Sequence, residues 1–340
     1  MDKALLEKTA HAMVAKGKGV LAADESSATC EKRFTSVGVA CTEENRRNYR
    51  EMLFSAPGAQ EFISGVILYD ETLRQKTKDG IAIPEYLNKN GIIPGIKVDA
   101  GSKALALSPG EQTTEGLDGL RERLREYFEL GARFAKWRAV INIGEGIPTV
   151  GCIEANSLAL ARYAALCQEA NIVPMVEPEV ILDGNHSIER CYEVTEATLR
   201  SLFSALAQQK VSLEHLILKA SMVISGNKAS NRAGVQQVAE QTIKCLKRTV
   251  PAALPGVVFL SGGQTDDEAT AHLDAMNRIG GAPWPLTFSY SRALQAAPLK
   301  VWSGQADNMK AAQKAFAHRA RMNSLASQGK WSAELEKQVA

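Results

Sequence analysis

Residues 216–222 read Leu-Ile-Leu-Lys-Ala-Ser-Met, an apolar run that a single lysine, Lys219, interrupts. Near-continuous apolar runs of this length are typical of strands that are buried on both faces of a parallel sheet. An ammonium group in such a strand is costly unless it is paired or deprotonated. The stretch therefore predicts a buried parallel strand and marks Lys219 as a candidate for chemistry.

Seven other short runs rich in Val, Ile, Leu and Phe accompany this one. The eight predicted strands cover residues 19–24, 63–70, 92–99, 133–140, 172–180, 216–222, 256–262 and 286–292. Amphipathic stretches lie between them, and this alternation predicts an α/β fold, a single closed (β/α)8 or TIM barrel. An open doubly wound sheet is the alternative, but the residues that follow the first strand, Asp24-Glu25-Ser26-Ser27, form no dinucleotide fingerprint.

No linker or repeat divides the chain. We therefore expect residues 1–340 to form a single catalytic domain. Its last residues, 328–340, are mostly polar and are expected to form a short, loosely held C-terminal tail.

Composition argues against several classes of protein. A net charge of +2 gives no reason to expect a nucleic acid or a membrane surface as a partner. The six cysteines form no C-x-x-C pair and the five histidines form no metal-binding motif, so we expect reduced thiols and no metal. No apolar run approaches the roughly 18 residues that span a bilayer. The N-terminus also has no signal-peptide core, which favours a cytoplasmic protein.

Ionisable and small polar residues gather where the predicted strands end, and in a barrel these ends form the active-site face. The residues are Asp24, Lys97, Asp99, Lys136, Arg138, Glu177, Glu179, Lys219, Ser261, Ser289 and Arg292. Lys136 with Arg138, and Glu177 with Glu179, are spaced i, i+2, so each pair points to one side of its strand. We expect both pairs to project into the barrel mouth.

Lys219 becomes a nucleophile when its amine is neutral. Burial and a neighbouring cation, for which Lys136 is the candidate, are expected to lower its pKa. Repulsion between Glu177 and Glu179 would keep one of them protonated, which supplies a general acid beside a general base. Schiff-base formation needs such a pair, because the carbinolamine must lose water. The alternative is a structural ion pair with the two lysines, and the two roles are compatible.

Two anion sites are predicted across the mouth. Ser261-Gly262-Gly263 follows the seventh strand, and Ser289 and Arg292 follow the eighth, which is the usual phosphate site of a barrel. Glycine lets backbone N–H groups approach an anion, and arginine binds it bidentately. The candidates for a second anion are Arg33, Arg46, Lys97 and Arg138. Each of these alone is more often a solvated surface charge.

Taken together, these residues resemble the class I fructose-bisphosphate aldolases, over about residues 6–331 and in order. The matching strings are Leu21-Ala-Ala-Asp-Glu-Ser26, Thr42-Glu-Glu-Asn-Arg-Arg47, Gly95-Ile-Lys-Val-Asp99, Phe134-Ala-Lys-Trp-Arg138, Val173-Pro-Met-Val-Glu-Pro-Glu179, Leu218-Lys219, Phe259-Leu-Ser-Gly-Gly-Gln264 and Leu286-Thr-Phe-Ser-Tyr-Ser-Arg-Ala-Leu-Gln295. The resemblance implies a metal-independent lyase that cleaves fructose 1,6-bisphosphate reversibly to dihydroxyacetone phosphate and glyceraldehyde 3-phosphate. It also implies a homotetramer, cytosolic or, in plants, plastidic.

The resemblance assigns roles to the polar residues. Lys219 would form the imine with the substrate ketone, so no cofactor is needed. Glu177 would act in acid–base steps, and Glu179 and Lys136 would assist the formation and dehydration of the carbinolamine. Asp24 would orient or deprotonate the C4 hydroxyl. One phosphate would lie on Ser261, Gly262, Gly263, Ser289 and Arg292, and the other near Arg33, Arg46, Lys97 and Arg138.

The chain departs from the family pattern at several positions. Ser291 stands where glycine is common, so its side chain is expected to crowd the phosphate loop. The family has a C-terminal tail that ends in a tyrosine, whereas this sequence has no tyrosine after Tyr290. The open alternatives are a preference for sedoheptulose 1,7-bisphosphate or fructose 1-phosphate, a pyridoxal-phosphate barrel, and a binding or scaffold role.

Overall fold

The computed structural model describes residues 1–337 and contains a closed barrel of eight parallel strands. The barrel strands are β1 (Gly19–Ala23), β2 (Ile63–Leu68), β3 (Ile93–Lys97), β4 (Phe134–Ile141), β5 (Val173–Val180), β6 (Ile217–Ala220), β7 (Val257–Phe259) and β8 (Leu286–Tyr290). Each strand pairs with the next, and β8 closes the barrel on β1. The predicted (β/α)8 fold is therefore confirmed. A short antiparallel hairpin, Ser102–Ala104 with Gln112–Thr114, was not predicted and follows β3.

Helices surround the barrel. In chain order the α-helices are α1 (Lys3–Met13), α2 (Ser27–Thr35), α3 (Glu43–Phe54), α4 (Ala59–Phe62), α5 (Asp70–Arg74), α6 (Ile83–Lys89), α7 (Leu120–Glu129), α8 (Val150–Glu169), α9 (Ile188–Gln208), α10 (Val235–Thr249), α11 (Asp266–Ile279), α12 (Arg292–Trp302), α13 (Met309–Ala326) and α14 (Ala333–Glu336). Two 3-10 turns lie at Leu213–His215 and Ala306–Asn308. Within residues 1–337, none of these helices combines the length and apolarity that a membrane span requires.

The barrel interior is filled by one apolar cluster, and this filling determines where the polar residues go. Ala22, Ile67, Phe134 and Met175 belong to the cluster and are almost completely buried. Side chains along a strand alternate between its two faces, so the residue two positions further also points inward. On β4 and β5, and directly after β1, that residue is charged. The strand pattern therefore places apolar side chains inside the barrel and ionisable ones at its carboxyl end.

The end of the described chain is anchored, which differs from the loose tail that we expected for residues 328–340. Glu336 accepts two hydrogen bonds of 2.7 Å from the Arg319 guanidinium of α13, and one of 2.9 Å from the indole of Trp331. The backbone of Trp331 is bound in turn by Asp274 and Arg278 of α11. Residues 338–340 lie outside the described residues. Residues 328–337 thus belong to the packed domain.

We expect Glu336→Gln to lower the free energy of unfolding at pH 7 by about 1 kcal/mol, at the low end for charged hydrogen bonds because Glu336 still touches water. Burial alone would raise the pKa of Glu336, but Arg319 outweighs it and lowers the pKa. A carboxylate with a lowered pKa stabilises the fold above its unfolded pKa, about 4.3, and this contribution fades as the pH falls below that value. Denaturant titrations at pH 7 and pH 3.5 measure the difference. An equal deficit of the variant at both pH values would contradict the prediction.

Candidate active site

A polar cavity of about 780 Å³ opens at the carboxyl end of the barrel strands. Most of the predicted site residues line it: Asp24, Arg33, Lys97, Lys136, Arg138, Glu177, Glu179, Lys219, Ser261, Gly262, Ser289 and Arg292. They come from strands and loops spread along the whole chain. The barrel thus brings together residues that the sequence holds up to 268 positions apart, from Asp24 to Arg292.

Four charged side chains, three of them buried, form the centre of the cavity. The ammonium of Lys136 lies 2.8 Å from an Asp24 oxygen and 3.4 Å from Glu177. The ammonium of Lys219 lies 3.1 Å from the other oxygen of Glu177. Lys136, Glu177 and Lys219 are each less than 5% exposed. Glu177 is therefore shared by both lysines, in an order that alternates negative and positive groups from Asp24 to Lys219.

Electrostatics fix the charge states of two members of this row. Burial would raise the pKa of Asp24, but Lys136 and Lys219 outweigh it and lower the pKa to about 2. Burial would lower the pKa of Lys136, but Asp24 and Glu177 outweigh it and raise the pKa above its ordinary value. At neutral pH, Asp24 is therefore a carboxylate and Lys136 is an ammonium.

Glu177 and Glu179 both face the cavity, as their spacing predicted, but they do not share a binding partner. Glu177 contacts the two lysines, whereas Glu179 forms an ion pair with Arg138. The repulsion that we expected between the two carboxylates is therefore offset by separate cations. Of the two carboxylates, Glu177 is the one in contact with Lys219.

The loop after β7 has the shape expected of an anion site. Gly262 and Gly263 have backbone φ angles of +51° and +88°, which glycine adopts without strain. A Cβ added to Gly263 would lie 3.5 Å from the Arg292 guanidinium, so the loop and this arginine face each other closely. The hydroxyl of Ser289 is buried and has no hydrogen-bond partner within the described residues. Gly262, Ser289 and Arg292 line the cavity, whereas the predicted ligand Gly263 is not part of that lining.

Ser291 has a different role from the crowding that we expected. Its hydroxyl donates a hydrogen bond of 2.8 Å to Glu25 and accepts one of 3.0 Å from Arg33. Glu25 also accepts a hydrogen bond of 2.5 Å from Arg33 and one of 2.8 Å from Gln295. The serine side chain therefore ties α2, which carries Arg33, to the start of α12.

Arg46 lies outside the cavity, so its place among the predicted anion ligands is corrected. Both ends of its guanidinium bind Glu71, at 2.8 and 2.5 Å, and a third hydrogen bond of 2.8 Å reaches the carbonyl of Cys41. Arg46 belongs to α3 and not to a strand end. Its donors are used in holding α3 to α5.

Lys97 is tied down as well, although it does line the cavity. Its ammonium contacts the Asp99 carboxylate at 2.7 Å and the Asp99 carbonyl at 2.6 Å. An anion that binds Lys97 must therefore compete with Asp99.

The polar cavity residues that were not among the sequence-based candidates include Glu25, Ser26, Thr29, Lys32, Tyr69 and Ser102. Tyr69 follows Ile67 by two positions, and Ile67 points into the barrel, so the alternation rule would have found Tyr69. Thr29 and Lys32 lie on α2, next to the predicted Arg33 but away from any strand end. No local sequence pattern shows that the residues of a helix will line the barrel mouth.

Comparisons with known proteins agree over nearly the whole chain. The family model for fructose-bisphosphate aldolase class-I matches residues 5–340. The "Probable fructose-bisphosphate aldolase class 1" of Xanthomonas axonopodis pv. citri (strain 306) is 64% identical over 327 residues, which cover 96% of this chain and 98% of that protein. "Fructose-bisphosphate aldolase 4, cytosolic" of Arabidopsis thaliana is 50% identical over 94% of this chain and 82% of that protein. The structure of fructose-bisphosphate aldolase from Plasmodium falciparum, solved in complex with TRAP and a small molecule inhibitor, has a TM-score of 0.96 at 47% identity, covering 97% of this chain and 96% of that one.

Proposed function

The chain belongs to the class I fructose-bisphosphate aldolase family, and from this premise we propose that its barrel mouth cleaves fructose 1,6-bisphosphate through an imine on Lys219. The enzyme is a lyase, and the reaction is reversible. The observation that carries the assignment of residues is the buried row Asp24, Lys136, Glu177, Lys219. Such a row supplies an amine, a proton-transfer group beside it and a separate carboxylate, as imine-based cleavage requires.

Imine formation uses one end of the row. The Lys219 ammonium first passes a proton to Glu177, and the neutral amine then adds to the C2 carbonyl of the substrate. The resulting carbinolamine loses water to give an iminium ion. Glu177, 3.1 Å from the Lys219 nitrogen, is suited to give the proton that lets the hydroxyl leave as water. Lys136 remains charged next to Glu177 and assists these steps electrostatically. Glu179, in its ion pair with Arg138, is proposed to assist the formation and dehydration of the carbinolamine.

Bond cleavage uses the other end of the row. Asp24 accepts the proton of the C4 hydroxyl, the C3–C4 bond breaks, and its electrons move into the iminium to form an enamine. Glyceraldehyde 3-phosphate then departs. The enamine takes up a proton at C3, and water releases dihydroxyacetone phosphate from Lys219. The ion pair with Lys136 keeps Asp24 available as a carboxylate.

The two phosphates of the substrate are proposed to bind at opposite sides of the mouth. Ser261, Gly262, Gly263, Ser289 and Arg292 surround one site. The free hydroxyl of Ser289 and the left-handed glycines support this assignment. Lys97 and Arg138 are the cations proposed for the other site, whereas Arg33, bound to Ser291, lies on the side of Arg292. Comparing kcat/KM on fructose 1,6-bisphosphate, sedoheptulose 1,7-bisphosphate and fructose 1-phosphate measures how strictly both phosphates are required.

We expect EDTA to leave cleavage unchanged, because the iminium ion already acts as the electron sink that a metal ion would otherwise provide. A coupled assay on fructose 1,6-bisphosphate, with and without prior dialysis against EDTA, tests this. A metal-dependent aldolase treated in parallel serves as the control. Loss of most of the activity, with recovery on adding Zn²⁺, would contradict the proposal. A near-ultraviolet or violet absorbance band of the purified protein would instead indicate bound pyridoxal phosphate.

We further propose that the chain acts in the cytoplasm as a homo-oligomer, and the resemblance favours a tetramer. The Arabidopsis relative is named as cytosolic, while a Chlamydomonas reinhardtii relative of 50% identity is named as chloroplastic. Sedimentation equilibrium measures the assembly directly, and a monomer at micromolar concentration would contradict it.

A further inference from the structure

Tyr69 lies at the mouth level of the barrel, between two residues of the proposed site. Ala23 pairs with Leu68, and Leu68 pairs with Ile96. The next residues, Asp24, Tyr69 and Lys97, therefore follow one another around the rim. Tyr69 also follows the inward-pointing Ile67 by two positions and lines the cavity. The strand register thus directs its side chain into the cavity.

The surroundings of Tyr69 brace its ring and leave its hydroxyl available. The guanidinium of the buried Arg50 lies 6.0 Å from the ring centroid, at cation–π distance. Arg50 is itself held by hydrogen bonds of 2.7 Å to Thr72 and 2.6 Å to the Glu25 carbonyl. Within residues 1–337, the Tyr69 hydroxyl makes no hydrogen bond, although Tyr usually finds a partner when it is partly buried. The cavity wall therefore offers an unused donor on a fixed ring.

Tyr69 and its neighbour at the rim, Asp24, face different parts of the cavity. Asp24 is short and ends against Lys136, deep in the cavity. The ammonium of Lys97 ends at Asp99, two residues beyond it along the chain, and Tyr69 lines the same cavity beside Lys97. Beyond Asp24, the group that acts on C4 in the proposed mechanism, lie C5, C6 and the second phosphate of the substrate. Because Tyr69 stands next to Lys97 in the strand register, we place its hydroxyl on the side of the cavity that receives the aldehyde half.

We propose that the Tyr69 hydroxyl donates a hydrogen bond to the phosphate on the aldehyde half of the substrate, next to Lys97. This inference rests on the proposed function, which assigns Asp24 to C4 and Lys97 to the second phosphate. Tyr69 is then a specificity residue, because its hydrogen bond forms with a bisphosphate and not with a ketose 1-phosphate, which lacks the second phosphate. Lys97 must give up its ion pair with Asp99 to bind a phosphate. The Tyr69 hydroxyl has no such partner to leave, so it can favour a bisphosphate over a monophosphate without breaking an ion pair.

The test is Tyr69→Phe, which removes the hydroxyl and keeps the ring over Arg50. We expect kcat/KM on fructose 1,6-bisphosphate to fall about tenfold, mainly through KM, a loss at the low end for a hydrogen bond to a charged acceptor. On fructose 1-phosphate, kcat/KM is expected to stay within about twofold, because that substrate lacks the acceptor. Tyr86→Phe is the matched control, since Tyr86 lies on α6 and outside the cavity lining.

The possible outcomes separate this inference from the proposed function. An equal loss on both substrates, or no loss on either, overturns the role of Tyr69. Trapping of dihydroxyacetone phosphate on the enzyme with borohydride should be unchanged in Tyr69→Phe, because that product carries only the other phosphate. If instead Lys219→Ala remains active, the proposed function itself fails, whatever Tyr69→Phe does.

Discussion

Lys219→Ala is expected to lower kcat for fructose 1,6-bisphosphate cleavage by roughly 10⁵-fold or more, since the entire imine pathway is lost and enzymes accelerate reactions by at least about 10⁶-fold. Lys136 cannot take over, although it contacts the same Glu177. Asp24 and Glu177 raise the pKa of Lys136, so its nitrogen stays protonated and has no lone pair to attack a ketone. Lys136, between two carboxylates, is therefore expected to act as a fixed cation, and Lys219, at the end of the row, as the nucleophile.

The measurement for Lys219→Ala has two parts. A coupled assay gives the residual cleavage rate, and borohydride reduction in the presence of dihydroxyacetone phosphate, followed by peptide mapping, identifies the labelled lysine. Lys228→Ala, a substitution at an exposed lysine in the loop after β6, is the matched control and should behave as the unaltered enzyme. Normal cleavage by Lys219→Ala, or labelling of Lys136 in the unaltered enzyme, would overturn the assignment.

The features that could be predicted from the sequence are those that strand alternation governs. Lys136 and Arg138, or Glu177 and Glu179, share a face simply because they are two residues apart on a buried strand. Once eight such strands close into a barrel, their ends must converge, so the part of the cavity lining that strand ends supply follows from the strand runs. Tyr69 obeys the same rule. Tyr69 was not among the candidates because these were ionisable or small polar residues, and an aromatic residue at a strand end is more often part of the core.

What the sequence could not provide are contacts between distant segments that no periodicity links. Glu25 meets Ser291 and Gln295 only because β1 and β8 close the barrel. The same applies to Glu336, whose partner Arg319 belongs to another helix. The prediction for Arg46 was wrong for a related reason. This residue lies in a stretch that resembles the family and was assigned to the barrel mouth, but α3 directs its side chain to Glu71.

The central row also explains why so many charges tolerate burial. Burying an isolated charge costs several kcal/mol, but alternating partners at 2.8 to 3.4 Å offset much of that cost. Each member is therefore a partner in folding and, in the proposed mechanism, also takes part in the reaction. A substitution must keep the size and the hydrogen bonding of a side chain if it is to reveal the chemical role alone.

Asp24→Asn meets that condition, and we expect it to lower kcat about 10³-fold, within the usual range for removing a general base. The amide can still accept a hydrogen bond from Lys136, but it cannot accept the C4 proton. Imine formation takes place at Lys219, at the other end of the row, so borohydride trapping of dihydroxyacetone phosphate should persist. Asp118→Asn, at an exposed turn before α7, is the control. If cleavage and trapping disappear together, Asp24 supports the lysines structurally, and the proton acceptor for C4 must be another group in the cavity.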